Sequence, residues 1–351
     1  DKFKGADKIV FLLPCWNFHV PSDVILYLDH LVQAHKTFDP NTMTGLVTGK
    51  PALLICASSG LEIGSSMDYG TAYMKQVLAF MGFADIRVLA ASGPRGNDGP
   101  RPWLDAVKKQ AKEIAPHFTL DAAASLPPAK EMFGGVPRVP DPTALPSGAR
   151  ILHVSCSPLG EHSATLAAAA AFLSEATAKT GSTVEHVDLS LLAEEHRLQP
   201  FGAAGVKAMA TLLDSPQATT PEDIAQEWQH TAAFIEQYKA ADVIVLSIPM
   251  WNLSIPFSLK LWIDHVAQPH QTYDPATNLG LSQKRGFVIA ASGWGLLGGA
   301  MDHVTGYMQQ CCSYIGIDPV FFVNINGTVG DDRASKIEGA VEALKRQACL
   351  N

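Results

Sequence analysis

Three stretches of the sequence put hydroxyl, aromatic, amide and glycine residues at points where a predicted strand gives way to a loop. The first, SCSPLGEHSAT (155–165), ends on a helix start, where free backbone N–H groups together with Ser157, Ser163 and Thr165 would cradle a phosphate monoester. His162 would add positive charge, while the same hydroxyls also suit ordinary N-capping. In PMWNLSIP (249–256), Pro249 fixes a turn, Trp251 offers a flat polarisable face and Asn252 an amide that both donates and accepts. That set suits a planar heteroaromatic ring with hydrogen-bonding edges; the alternative is a packing tryptophan beside a turn asparagine. Ser254 and Pro256 read as helix-start residues. The third stretch, SGWGLLGG (292–299), satisfies G-x-G-x-x-G through Gly293, Gly295 and Gly298. The dinucleotide fingerprint belongs behind the first strand of its fold and this strand is the fourth of its set, so the glycines read as close backbone approach to a flat ligand.

The elements that position these loops occur twice, once incompletely. Pro14 aligns with Pro249 at an offset of 235 residues, and 15 of the 33 positions from Pro14 to Leu46 are identical at that offset, including Trp16/Trp251, Asn17/Asn252, Asp29/Asp264, His30/His265 and Gly45/Gly280. Chance would give about two, so the pattern reads as a tandem duplication. Short apolar runs rich in Val, Ile and Leu predict strands at 8–13 and 243–248, 52–57 and 286–291, and 86–90 and 320–323, with helices near 21–32 and 256–267. Ahead of the second copy, ARILHVSCS and STVEHVDLS add two strands and SATLAAAAAFLSEATAKT and EDIAQEWQHTAAFIEQYKAAD two helices. Alternating strands and helices predict an α/β fold with a doubly wound parallel sheet of five strands, of which the first copy holds the last three.

The expected division is 1–116 for the shorter unit, 117–148 for an Ala/Pro/Gly-rich linker and 149–351 for the complete one. Because a parallel sheet without its central strand leaves an apolar edge, either residues precede Asp1 or that half was lost and the unit rests against something else.

Composition narrows the chemistry. The chain of 351 residues is 47% hydrophobic and 17% charged with a net charge of −8, and no clustered Lys and Arg suggest nucleic acid. Six cysteines include no C-x-x-C pair, which argues for a reducing compartment and against a zinc site or disulfide framework. The charged start DKFKGADK and the lack of a long apolar run predict a cytoplasmic protein without membrane spans. The Asp29-His30 and Asp264-His265 pairs, each followed by a histidine five residues on, do not put both rings on one helical face, so no metal is expected. The absence of G-x-S-x-G speaks against a serine hydrolase.

Together, SPLGEHSAT, PMWNLSIPFSLKLWIDHV, TYDPATNLGL and ASGWG resemble the FMN-dependent NADH azoreductases and NAD(P)H quinone reductases of flavodoxin-like fold. The resemblance covers about 149–348, and its later half about 3–110. It implies FMN as cofactor and NADH or NADPH as donor, with Ser157, His162, Ser163 and Thr165 at the phosphate. Pro249, Met250, Trp251, Asn252 and Leu253 would run along the isoalloxazine, and Ser292, Gly293, Trp294 and Gly295 at its pyrimidine side. Thr165 stands where the family more often has Ser. It further implies ping-pong hydride transfer through flavin N5 to quinones, azo compounds or similar small aromatic acceptors, the chemistry residing on the cofactor. Such enzymes usually pair as homodimers with the flavin at the interface, so an intrachain pseudo-dimer or a homodimer is expected. Trp16, Asn17 and Phe18 would then form a second ring-lining set, and Phe38 and Tyr273 either lids over the opposite site or plain loop anchors. The alternative is a flavin-binding or scaffold protein whose shorter unit serves docking.

Overall fold

The computed structural model describes residues 2–93, 102–115, 118, 139–194, 198–214 and 225–350. The chain divides into two compact units, 1–134 and 135–351. In the first, β1 (Ile9–Pro14), α1 (Ser22–Leu31), β2 (Pro51–Ser59), α2 (Tyr69–Met81), β3 (Asp85–Gly93) and α3 (Pro102–Ile114) alternate along the chain. The three strands lie in the order β1-β2-β3 and all pair parallel, Ile9 opposite Ala52 and Pro51 opposite Asp85. Their apolar side chains form a core with Ile25, Leu28, Tyr73, Met74 and Leu78 of the helices. Among the described residues β1 pairs along one edge alone, and its Val10 and Leu12 are 52% and 71% exposed.

The second unit comprises β4 (Arg150–Ser155), α4 (Ala164–Thr180), β5 (Thr183–Asp188), α5 (Ala225–Ala240), β6 (Val243–Pro249), α6 (Phe257–Val266), β7 (Lys284–Ser292), α7 (Thr305–Ile315), β8 (Ile317–Asn326) and α8 (Arg333–Gln347). Its sheet is wholly parallel in the order β8-β7-β6-β4-β5, the flavodoxin-like arrangement in which strand order reverses between the first and third strands. One face packs on α4 and α8 through Ala168, Phe172, Phe287, Ile289 and Leu344. Every residue of β6 before Pro249 is buried, as its uninterrupted run VIVLSI requires.

Local chemistry sets the element ends. Ser163 caps α4, accepting from the Leu166 N–H at 3.3 Å, and Gly181 closes the helix at φ 68°, where a side chain would be strained. Gly280 has a different reason to lack a side chain: a Cβ there would lie 2.1 Å from the Gly316 nitrogen, and at Gly45 one would lie 2.2 Å from that of Gly82. In each unit the glycine of the ribbon therefore answers to backbone contact with the end of the following helix.

The expected strands are all present, and those at 52–57, 86–90, 286–291 and 320–323 run three to six residues longer than their apolar runs. Most of the expected linker 117–148 lies outside the described residues, but 139–148 packs on the second unit: Leu145 is buried and donates its N–H to the Ala348 carbonyl at 3.3 Å, while Gln347 Nε2 donates to the Pro140 carbonyl at 2.8 Å. Helices at Leu189–Glu194 and Ala203–Asp214 are additions that the sequence pattern did not foretell. No helix among the described residues is long and apolar enough to cross a membrane.

Candidate functional site

All three chemistry-bearing loops of the second unit leave the carboxyl ends of neighbouring strands: 156–163 after β4, 250–256 after β6 and 293–304 after β7. The reversal between β4 and β6 opens a crevice between the first two.

The first loop passes through a short 3-10 turn, Gly160–His162, into α4. Ser157 and Ser163 are 3% and 2% exposed, and Thr165 is fully buried with its hydroxyl 3.0 Å from that of Ser163. Thr165 thus supports Ser163 from beneath, leaving Ser157, Ser163 and the loop amides as the donors at the helix start. His162 is exposed, and its carbonyl accepts from the Arg333 guanidinium at 2.7 Å.

The second loop is a two-residue reversal. Trp251 and Ser254 exchange backbone hydrogen bonds at 2.9 and 3.0 Å, and Asn252 and Leu253 have φ of 45° and 73°. Positive φ at both centres is what a type I′ turn demands, and its second centre favours glycine. Holding leucine there costs on the order of 1–3 kcal/mol. The turn is secured by the start of the segment leading into α7, where the His303 N–H donates to the Leu253 carbonyl at 3.1 Å and the Ser254 hydroxyl donates to the His303 carbonyl at 3.4 Å. Leu253 is buried, whereas Trp251 is 40% exposed. Burial pushes the His303 imidazole down to about 4, so it is neutral at pH 7.

The third loop is held at its base and presents its tip. The Ser292 carbonyl accepts from the Gly327 and Thr328 N–H groups at 2.8 and 3.2 Å, and the Ser292 hydroxyl accepts from the Trp294 and Leu296 N–H groups at 3.4 and 3.3 Å. Asp302 accepts from the Gly298, Val304 and Thr305 N–H groups at 2.7 to 2.9 Å. Gly295 takes φ 77°, and Trp294 at the tip is 62% exposed.

Hydroxyls and amides at the first loop fit a phosphate monoester, the Glu161 carboxylate of its turn being exposed to solvent; the two half-open tryptophans and the amide of Asn252 fit a planar ring. Pro249 and Met250 are half-buried at the end of β6, and Gly293 lies between Ser292 and the tip. The first unit repeats part of this arrangement within itself. Asn17 and Phe18 have φ of 46° and 66°, Trp16 and His19 exchange backbone bonds at 2.7 and 3.1 Å, and the Phe18 carbonyl accepts from the Tyr69 N–H at 3.1 Å. Tyr273 is buried 4.3 Å from the Tyr314 ring, at the amino end of its sheet and remote from that unit's three loops, and Phe38 lies 4.9 Å from Phe80. Each ring thus packs on an aromatic ring of its own unit. His265 is likewise occupied, bonded to the Thr231 hydroxyl and the Gln199 carbonyl, both at 2.8 Å.

Asn326 and Arg333 were missed by the sequence reading because their contacts with the loops span 29 and 171 residues, and Asp302 was missed although its contact with Gly298 spans only four. A signal existed for Asp302: Asp68 sits at the equivalent place in the first unit and accepts from the Gly64 and Thr71 N–H groups at 2.7 and 3.0 Å.

Comparison with known proteins agrees with this architecture. A family described as flavodoxin-like fold matches residues 1–115 and 149–348. An FMN-dependent NADH:quinone oxidoreductase of Laribacter hongkongensis is 34% identical over 203 residues, 55% of this chain and 96% of the relative. The enzyme of that name from Ralstonia nicotianae is 34% identical over 204 residues, 56% of this chain and 95% of the relative. Among solved structures, an azoreductase from Bacillus anthracis aligns over 57% of this chain and 99% of its own, at 21% identity and a TM-score of 0.49. With the family pattern matched over residues 1–115 and 149–348, most of its length, the chain belongs to the family of flavodoxin-like fold.

Proposed function

We propose that the second unit binds FMN across its three loops and that the protein is an NAD(P)H-dependent oxidoreductase passing two electrons to quinones, azo compounds or similar conjugated acceptors. The observation that carries this reading is the conjunction, at the switch point of one sheet, of a buried hydroxyl cradle with a strained turn that presents Trp251 and Asn252. The relatives named as FMN-dependent NADH:quinone oxidoreductases support it.

Bound there, FMN would supply two-electron redox chemistry at its ring. The residues of this chain do the holding. Ser157, Ser163 and the amides of the first loop take the phosphate, and the partial positive charge of the α4 N-terminus favours its anionic form. Trp251 would cover ring surface, Asn252 would meet a polar edge, and the backbone of 292–298 would line the pyrimidine side. No side-chain acid or base is needed, in keeping with the neutral His303 behind the turn. The exposed tip at Trp294 would leave room for donor and acceptor to reach the ring one after the other, which would suit a ping-pong order.

The test is optical. Purified protein should be yellow, lose colour with NADH under anaerobic conditions and regain it when a quinone is added. A colourless protein that takes up no added FMN sinks the reading. A second reading, a docking role for the first unit, has one observation in its favour, the exposed apolar edge of β1.

A further inference from the structure

The last residue of β8 faces the third loop with a complementary pair of groups. Asn326 Oδ1 accepts from the Leu297 N–H at 3.1 Å while its Nδ2 donates to the Leu297 carbonyl at 2.9 Å. Because both polar groups of one backbone residue are satisfied by one side-chain amide, the contact mimics a strand neighbour and fixes which way the amide points. Leu297 is 5% exposed and cannot turn to water instead. With Ser292 tied to Gly327 and Thr328 at one end and Leu297 tied to Asn326 at the other, 293–296 span the two ties, with Trp294 and Gly295 exposed between them.

The first unit shows the same brace in a reduced form. There Ser92 stands at the position of Asn326 and Ile63 at that of Leu297, and the Ser92 hydroxyl accepts from the Ile63 N–H at 3.0 Å. The carboxylate clamps of Asp68 and Asp302 on Gly64 and Gly298 have the same length, 2.7 Å. At this brace the two loops differ plainly: a hydroxyl that holds the N–H, against an amide that holds the N–H and the carbonyl together.

We propose that Asn326 is a positioning residue that sets the backbone of 292–298 for the hydrogen-bonding edge of a planar ring, and that it governs the affinity for the ring and leaves that for the phosphate alone. This rests on the reading that the second unit binds a flavin. The loop it braces lies on the ring side of the crevice, while the hydroxyl cradle lies at the start of α4 on the other side of β6.

FMN and riboflavin, which share the ring and differ in the phosphate, separate the two ends of the site. Dissociation constants are measured by flavin fluorescence for the wild type, Asn326→Ala, Asn326→Ser and Ser163→Ala, alongside amide exchange of Leu297 in the flavin-free protein and the visible absorption bands of bound flavin. Asn326→Ala should weaken FMN and riboflavin by the same factor, about five- to tenfold for the lost bonds, shift the visible bands and abolish protection at Leu297. Asn326→Ser, which restores the first unit's arrangement, should recover part of each. Ser163→Ala should weaken FMN alone. Unchanged protection of Leu297 in Asn326→Ala, or an effect on FMN without one on riboflavin, overturns the proposal. Wild-type protein that takes up neither flavin overturns the functional reading and this proposal with it; wild-type binding indifferent to Asn326 overturns this proposal only.

Discussion

Strands β1 and β6 carry cognate sequences and live in different surroundings. β6 has a partner on each side and is buried until Pro249, whereas among the described residues β1 pairs with β2 alone and exposes Val10 and Leu12. Yet the turns that follow them are the same, with positive φ at Asn17 and Phe18 as at Asn252 and Leu253. The turn is therefore a local property, written in Trp-Asn and in the helix-start amide that caps it, and it survives without the neighbouring strands. Burial is a property of the sheet, and it requires β4 and β5. The cradle belongs to β4 and has no counterpart among the described residues of the first unit.

The largest expected effect that sharpens this contrast is acid sensitivity of the second unit. Burial holds His153, His265 and His303 at about 4, against an ordinary value near 6.5. Above pH 6.5 folded and unfolded chains are both neutral at these rings; between 6.5 and 4 only the unfolded chain takes up the protons, so stability falls as the pH falls through that window. At pH 5 the loss is on the order of 2 kcal/mol for each ring. Urea unfolding followed from pH 7.5 to 5 measures it, and a flat profile would refute the assignment.

Next comes the fully buried Lys260, paired with Asp264 at 2.6 and 2.8 Å, where the first unit has Ile25 in place of the lysine. Asp264→Ala should cost about 3–5 kcal/mol by leaving a buried ammonium without its partner, while exchanging both residues for apolar ones of similar volume should cost far less. Equal losses in the two variants, seen by denaturant titration, would contradict the ion-pair account.

Gly280→Ala and Gly45→Ala test whether the shared backbone contact matters equally in both units. Each inserts a methyl group against a helix end, and each should destabilise by about 1–3 kcal/mol. A loss in one and none in the other would show that the two ribbons are not held alike.

The smallest effect is expected at the turn itself. Leu253→Gly relieves positive φ but removes a buried side chain, two terms of similar size and opposite sign, so stability should change by less than about 1 kcal/mol. Flavin uptake should nonetheless weaken as the backbone loosens, and the same change at Phe18 should leave uptake as it was if the second unit alone holds the cofactor.

How far the sequence reveals all this follows from the range of the interactions. Continuous apolar runs such as VIVLSI announce a buried strand whatever its partners, and capping residues such as Ser163 and Gly181 mark helix ends within three or four positions. The loops' composition pointed to the crevice for the same reason. Asn326 and Arg333 escaped notice because an asparagine at a strand end and an arginine at a helix start are ordinary until the fold brings them to loops 29 and 171 residues away. Tyr273 could be a lid or a loop anchor as far as its sequence goes; the contact of Gly280 with Gly316, which packs the ribbon against Tyr314, arises only in the fold.

The tethered turn at Leu253 bears on kinetics. Since its strain is already stored and its carbonyl already bound to the His303 N–H, no ordering of this segment remains for the moment of association. Ligand capture should then proceed in one concentration-dependent phase without a slower rearrangement, and its heat-capacity change should track the apolar area covered, with little added from folding of the loop.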